Sequence, residues 1–369
     1  MEFKRGFLPN EDPPSKLPED YSDLERFSSQ LNKLIINNRL REEVANFSFP
    51  DFEKENDRMI LERILTIMTF LTHAYVWQNE PSPVLPKQIA KPLVQVANKL
   101  CRKPVLTYAS YALFNWERLD KNADISLNNV RILQNFLGGQ DEDWFIMIHV
   151  VIEYQAGPAI SALEVWLNNN TQATYLEDLL TTIYTCLCSM NATLKRMPEK
   201  CDPYIYYRRV RPYLFGWKNN PSLKDGLIYE GVWNEPQFFR GETGAQSTII
   251  PCLDAFFGIE HEDDPLKTYL LEMRDYMPVE HKNFLEKLEK KGSIRGLVIS
   301  SNDKNIQELY NACIKEIEEF RTTHLNFASE YIFKQNQTYS NPTKIGTGGT
   351  PFMDYLKKHR DETLKALIT

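Results

Sequence analysis

The chain has 369 residues, 42% hydrophobic and 25% charged, the profile of an ordinary folded protein with length enough for two domains. Its formal net charge of −7 argues against nucleic acid or an anionic membrane surface as the main partner. Six scattered cysteines, without CxxC pairs or zinc-finger spacing, exclude a disulfide framework or a cysteine-built metal cage and point to free thiols in a reducing compartment.

The opening stretch MEFKRGFLPNEDPPSKLPED has no apolar core of signal-peptide length, and the longest uncharged run, Ile64 to Trp77, is too short to span a bilayer. A cytoplasmic protein is therefore expected. Pro9 to Pro18 should run extended over the surface. Leu24, Phe27, Leu31 and Leu34 predict a helix over 23–41, and the stripe Ile60, Ile64, Ile67, Leu71 predicts another over 57–77. His73 lies on the other side of that second helix with Phe70 and Trp77 and reads as a core residue. Residues 81–116 hold a helix, a turn at Pro104 and a second helix bearing Tyr108, Tyr111 and Leu113. A short helix is expected within 120–143, followed by a Gly-rich acidic joint, Gly138 to Asp143. That joint divides the chain into a small N-terminal domain, 1–137, and a larger C-terminal domain, 138–369.

Beyond it, Phe145, Ile148, His149 and Ile152 share one face of an apolar helix that Gly157 and Pro158 should bend or interrupt. Residues 175–196 predict a long amphipathic helix. YIYYRRVRPYLFGW, Tyr204 to Trp217, is dense in aromatics and arginine, but in an acidic chain it does not read as a nucleic-acid patch. Residues 218–248, rich in Gly, Pro and Asn, predict a long irregular loop of a kind usually kept for function. Helices follow around 268–276 and over 280–290. HEDD, His261 to Asp264, reads as a solvated turn, and His281 and His359, flanked by lysines or arginines, as exposed. Strand-like alternation is scarce, so the fold class expected is all-α.

The last long helix should start at Asn305, with Glu308 as its capping partner. On it Ile317, Phe320, His324, Phe327 and Tyr331 recur at steps of three and four, which sets an imidazole in a buried-type stripe with Arg321 one turn earlier. That pair suits an axial haem ligand beside a propionate-binding guanidinium, although a lone histidine on an apolar face is more often a hydrogen-bonded core residue. The Gly-rich GTGGT, Gly346 to Thr350, lacks the strand and lysine of a phosphate loop; a mobile lid over 335–350 and a plain connection both fit.

Five blocks carry a family resemblance: FGWKNNPSLKDGLIYEGVW (Phe215 to Trp233), GAQST (Gly244 to Thr248), RDYMPVEHKNFL (Arg274 to Leu285), FRTTHLNFASEYI (Phe320 to Ile332) and GTGGTPFMDYL (Gly346 to Leu356). In content and order they resemble the indoleamine 2,3-dioxygenase family. The resemblance implies an all-helical, two-domain protein that binds haem b, ferrous in the active state. With O2 as co-substrate, such a protein inserts both oxygen atoms across the indole C2–C3 bond of L-tryptophan to give N-formyl-L-kynurenine, the first step of the kynurenine pathway. It implies His324 as proximal ligand of the haem iron, with Arg321, Asp254, Thr243 and Gly244 also at the cofactor. Arg211 would anchor the substrate carboxylate, with Arg208 and Arg209 as close competitors. Phe145 and Tyr206 would flank the indole, Tyr108, Tyr111 and Ala112 would form the inner pocket, and Tyr207 and Gly244 would lie near the substrate. His149, Arg211, Thr243 and Thr347 are the implied catalytic set, Thr347 as the lid residue meeting the amino acid's ammonium or carboxylate.

Two departures stand out. His149 occupies a position where a mammalian member has serine and others histidine, and Tyr206–Tyr207 replace a Phe pair. The partners expected are L-tryptophan or a related indoleamine and haem, in a monomer without nucleic acid or membrane. The alternatives are an oxygenase of the same fold acting on another indole derivative and a haem-binding sensor with little catalysis.

Overall fold

The computed structural model describes residues 3–168, 175–336 and 341–369. The helix expected over 23–41 is three short ones, α1 (Ser22–Ser28), α2 (Leu31–Ile36) and α3 (Leu40–Asn46). Asn38 is one physical reason. It sits in the left-handed region at φ 59°, and the N–H groups of Asn38 and Arg39 return to the carbonyls of Ile35 and Leu34 at 3.0 and 2.8 Å, which closes α2.

α4 (Arg58–Trp77) matches its predicted span, because Asp57 caps it by accepting from the N–H groups of Met59 and Ile60 at 2.8 and 3.1 Å. By length and composition α4 would qualify as a membrane-crossing helix, but 83% of its most apolar 18-residue window is buried inside the chain, as befits a core helix. Several of its polar side chains are paired internally, though Thr66 and Thr72 keep buried hydroxyls without a partner among the described residues. Glu62 meets Arg102 at 3.3 Å, and His73 accepts from Leu106 N–H at Nε2 (3.0 Å) while its Nδ1 lies 2.7 Å from the Tyr213 carbonyl. His73 is thus a neutral core residue with both ring nitrogens engaged, and burial pushes its pKa down to about 4.

β1 (Val84–Leu85) precedes α5 (Lys87–Lys99). No helix forms over 120–139: β2 (Trp116–Arg118) and β3 (Val130–Ile132) pair antiparallel instead. Asn129 gives the local reason, since its side chain takes the Asp120 N–H at 2.7 Å and donates to the carbonyls of Asp120 and Asp124, using backbone groups a helix would need.

α6 (Gln140–Gln155) and α7 (Gly157–Asn168) meet at Ala156, the expected interruption. The N-terminal segment docks there through Phe3, Phe7 and Leu8, all buried. At Gly6, φ 65°, a Cβ would lie 2.6 Å from the Glu153 carbonyl, so only glycine allows this approach. α8 (Leu176–Leu194) is followed by the single turn α9 (Pro203–Ile205) and by the irregular stretch expected over 218–248. Within that stretch β4 (Ile228–Tyr229) pairs parallel to β1.

Then come α10 (Ile249–Phe257), α11 (Pro265–Met273), α12 (Val279–Lys291) and α13 (Arg295–Ser300), the last unforeseen. α14 (Lys304–Ala328) is capped by Asp303, which accepts from Asn305 and Ile306, rather than by a Glu308 box. It packs chiefly on α8 and α15 (Met353–Thr363). With four strands of two or three residues among the described residues, the fold is all-α.

Candidate active site

Three segments wind into π-helical turns, Ala109–Leu113, Tyr206–Val210 and Ser329–Phe333. A π turn inserts a residue and re-aims its neighbours, and such turns are frequent at functional sites. The first carries Tyr111 and Ala112, the second Tyr206 and Tyr207, and the third begins just past His324.

Together they build an aromatic cage. The Tyr206 ring lies 4.7 Å from Phe145, and Phe145 lies 4.6 Å from His149 and 6.3 Å from Tyr111. Tyr108 meets His149 edge-on at 5.9 Å. His149 Nδ1 is 2.7 Å from the Phe145 carbonyl, which can only accept, so the proton sits on Nδ1 and Nε2 keeps its lone pair. Burial lowers the pKa of His149, keeping the ring neutral.

His324 departs from the buried stripe expected of it. Ile317 and Tyr331 are buried and Phe320 and Phe327 half-buried, but His324 is exposed by area. Burial nonetheless pushes its pKa down to about 4, with His149 adding to the effect. Its ring is reached by solvent, while the protein packed around it supplies the desolvation. Among the described residues it makes no hydrogen bond. It is a neutral imidazole beside His149 with an uncommitted lone pair.

The three competing arginines separate by burial: Arg208 and Arg209 are exposed, whereas Arg211 is 0% exposed. Its Nη1 donates to Asn341 Oδ1 and, at 3.0 Å, to the Pro342 carbonyl, and its Nη2 to the Ile345 carbonyl at 2.5 Å. Nε is buried without a partner among the described residues. None of these contacts is a carboxylate. Burial pulls the pKa down to about 10, so the group remains cationic at neutral pH. Tyr207, by contrast, turns from the cage: its hydroxyl donates to the Asn341 carbonyl and its ring lies under Arg211 at 5.7 Å.

The Gly-rich segment over 341–350 is held against the body, while 337–340 of the expected lid lie outside the described residues. Thr347 Oγ1 donates to the Glu242 carbonyl at 2.5 Å, and Arg240 Nη1 to the Gly348 carbonyl at 2.8 Å. Asn341, Pro342 and Ile345 of this segment supply the Arg211 acceptors. Thr243 caps the turn Gly244–Gln246, and a Cβ at Gly244 would meet nothing within 4 Å, so this glycine faces open space.

Four residues here escaped sequence reasoning. Gln246 accepts from Tyr108 N–H at 2.8 Å and donates to the Gly241 carbonyl at 2.9 Å, tying the loop to the cage. Glu153 accepts from Tyr108 Oη at 3.0 Å and Ser247 Oγ at 2.8 Å. Burial raises its pKa to about 7 against those two bonds. Glu242 is 4% exposed, its carboxylate makes no hydrogen bond among the described residues, and its charge bears on Tyr206, Tyr108 and Tyr111. Burial alone lifts its pKa to about 8. The one local signal was GAQST, which contains Gln246 and Ser247.

On α14, Arg321 Nη2 grips Asp254 at 2.7 and 2.9 Å, and its Nη1 donates to Thr363 Oγ1. Burial opposes ionisation of Asp254, but Arg321 and His261 hold its carboxyl below the usual range. His261 is accordingly no solvated turn residue: it bridges Asp254 and Glu362. His281 is buried, 4.7 Å from Phe7, because the N-terminal segment covers it, and His359 is half-buried against His261.

The family model described as Indoleamine 2,3-dioxygenase matches residues 1–366. Among curated relatives, Indoleamine 2,3-dioxygenase 1 of Rattus norvegicus is 34% identical over 97% of this chain and 92% of its own length. Indoleamine 2,3-dioxygenase 2 of Homo sapiens is 32% identical over 96% of this chain and 91% of its own. Indoleamine 2,3-dioxygenase of Saccharomyces cerevisiae is 30% identical over 97% and 90%.

Proposed function

The chain belongs to the indoleamine 2,3-dioxygenase family, and from that membership we propose that it is a haem-dependent enzyme inserting both atoms of O2 into the indole C2–C3 bond of L-tryptophan to give N-formyl-L-kynurenine. One juxtaposition supports this reading most. An aromatic cage of Phe145, Tyr206, Tyr111 and Tyr108 has accessible neutral imidazoles, His149 and His324, on one side. A buried guanidinium, Arg211, acts electrostatically on Tyr206 of that cage and has no acidic partner among its hydrogen bonds.

The donor set fits a haem. His324 would hold the iron through its uncommitted lone pair, and Arg321, fixed by Asp254, would stand on the propionate side. When bound and ferrous, haem b supplies the O2 chemistry. The chain's own residues do the rest. Phe145 and Tyr206, packed on each other at 4.7 Å, would together form one wall against the indole and exclude water, and Arg211 would offer a planar guanidinium to the carboxylate. His149 presents a lone pair at Nε2, suited to accepting the indole N–H. That proton is too weakly acidic for imidazole to remove at useful cost, so His149 orients the ring by a hydrogen bond. Thr347 closes the site from the lid by its bond to the Glu242 carbonyl.

The test is direct: the full chain, supplied with haem and reduced, is mixed with L-tryptophan and O2. Appearance of the formylkynurenine absorbance is expected. Protein that shows a full Soret band yet forms no product would overturn the reading in favour of a haem-binding sensor.

A further inference from the structure

α15 carries His359 and Glu362 three residues apart on one face, and the loop after α10 brings His261 against both. One ligand-type atom from each of the three lies within 4.8 Å of the other two. The His261 and His359 rings are 4.1 Å apart, and His261 Nδ1 is 2.6 Å from Glu362 Oε2. His261 also directs Nε2 at Asp254 Oδ2, 3.2 Å away. His359 Nε2 is buried without a hydrogen-bond partner among the described residues, a cost that a native chain rarely leaves uncompensated.

We propose that His261, His359 and Glu362 form a binding site for a divalent transition metal, zinc foremost, its three ligands distinct from the residues that would hold haem and substrate, although Asp254 supports both. Two imidazoles and a carboxylate are the donor types zinc prefers, and a His2Glu set leaves a fourth tetrahedral position for water. Calcium and magnesium demand oxygen ligands and do not suit it. The outer shell is in place: a metal-bound histidine commonly gives its second ring nitrogen to a carboxylate, here Asp254. Binding replaces the hydrogen bond between His261 and Glu362, and the shared proton leaves to solvent.

A cavity of about 270 Å³ reaches Glu362 through a rim of mixed charge, Glu262, Asp354 and Asp361 alternating with Lys357, Lys358 and Lys365. Lys358 opposes a cation, being 3.8 Å from Glu362, but its ammonium is closer to Glu262, at 2.9 Å, and to Asp264. The metal would tie α15 to the end of α10. Asp254 and Thr363 connect the same cluster to Arg321 on α14, so occupancy is expected to steady the C-terminal helix.

The experiment uses haem-loaded full-length protein, stripped with chelator and dialysed against Zn2+, with zinc per chain measured by atomic emission. The parent and Cys101→Ser, which removes an exposed thiol, should each retain one zinc. His359→Ala and Glu362→Gln should bind roughly tenfold more weakly or worse. Zinc-edge X-ray absorption of the parent should show nitrogen and oxygen neighbours with imidazole scattering, a readout that needs no variant to fold. No zinc retained by the parent, retention unchanged in His359→Ala, or a sulfur shell would each overturn the proposal. None of these outcomes depends on dioxygenase activity.

Discussion

Replacing Arg211 by Ala separates two jobs that the structure gives one side chain. Its donors hold Asn341, Pro342 and Ile345, and the proposed reading also has it receive the substrate carboxylate. Loss of a charge-assisted carboxylate bond is worth about 1.5 to 3 kcal/mol, which is roughly 10- to 150-fold in kcat/KM. Tryptamine, which has the indole and the amine but no carboxylate, cannot make that bond. The parent should therefore prefer L-tryptophan over tryptamine, and Arg211→Ala should erase most of that preference, changing tryptamine turnover by less than about threefold. Two of the three freed acceptors, Asn341 Oδ1 and the Pro342 carbonyl, are buried, at about 1 to 3 kcal/mol for each left unsatisfied, so a fall in Tm is expected as well. Steady-state kinetics on both substrates, with Tm recorded alongside, decides it. An equal fold-loss on tryptophan and tryptamine would refute carboxylate recognition and leave Arg211 as a clamp on the Gly-rich segment alone.

Three further outcomes follow from the same geometry. His324→Ala should lose the Soret band on haem titration while His73→Ala keeps it, whatever its stability; the reverse pattern would reject His324 as the iron ligand. His149→Ser should retain measurable product formation, since an orienting bond and not a proton transfer is lost, and complete inactivity with haem intact would contradict that role. Glu242 has a folded pKa of about 8 against an ordinary 4.5, so the folded state keeps a proton that the unfolded chain releases. The stability this confers is full below pH 4.5 and is lost as pH rises through 8, on the order of several kcal/mol. Relative to the parent, Glu242→Gln should therefore gain stability between pH 6 and pH 9 in thermal denaturation, and a difference that does not move with pH would contradict its burial as an acid.

Local signals carried much of the helical fold. The stripe through Ile60 to Leu71, capped by Asp57, fixed α4. Gly157–Pro158 fixed the break between α6 and α7, and the Gly/Pro/Asn-rich 218–248 its irregular path. The break of 23–41 at Asn38 is hidden by hydrophobic spacing that points to one continuous helix. The hairpin of β2 and β3 was not legible, because it depends on Asn129 side-chain bonds rather than on alternation. The aromatic cage members came from what the family resemblance implies, whereas the pairings that support them did not. Gln246 reaches Tyr108 across 138 residues of sequence and Ser247 reaches Glu153 across 94, and no local periodicity encodes such pairings. Likewise, lysines and arginines beside His281 and His359 suggested exposure that the covering N-terminal segment and α15 remove.

The central claim is that this cage carries out a dioxygenation of L-tryptophan, and 18O2 labelling tests it most directly. The haem-loaded, reduced protein is allowed to turn over L-tryptophan under 18O2 in ordinary water, and the product is analysed promptly by mass spectrometry. We expect N-formyl-L-kynurenine with both new oxygens labelled. A product carrying one labelled oxygen, or none, would contradict the claim.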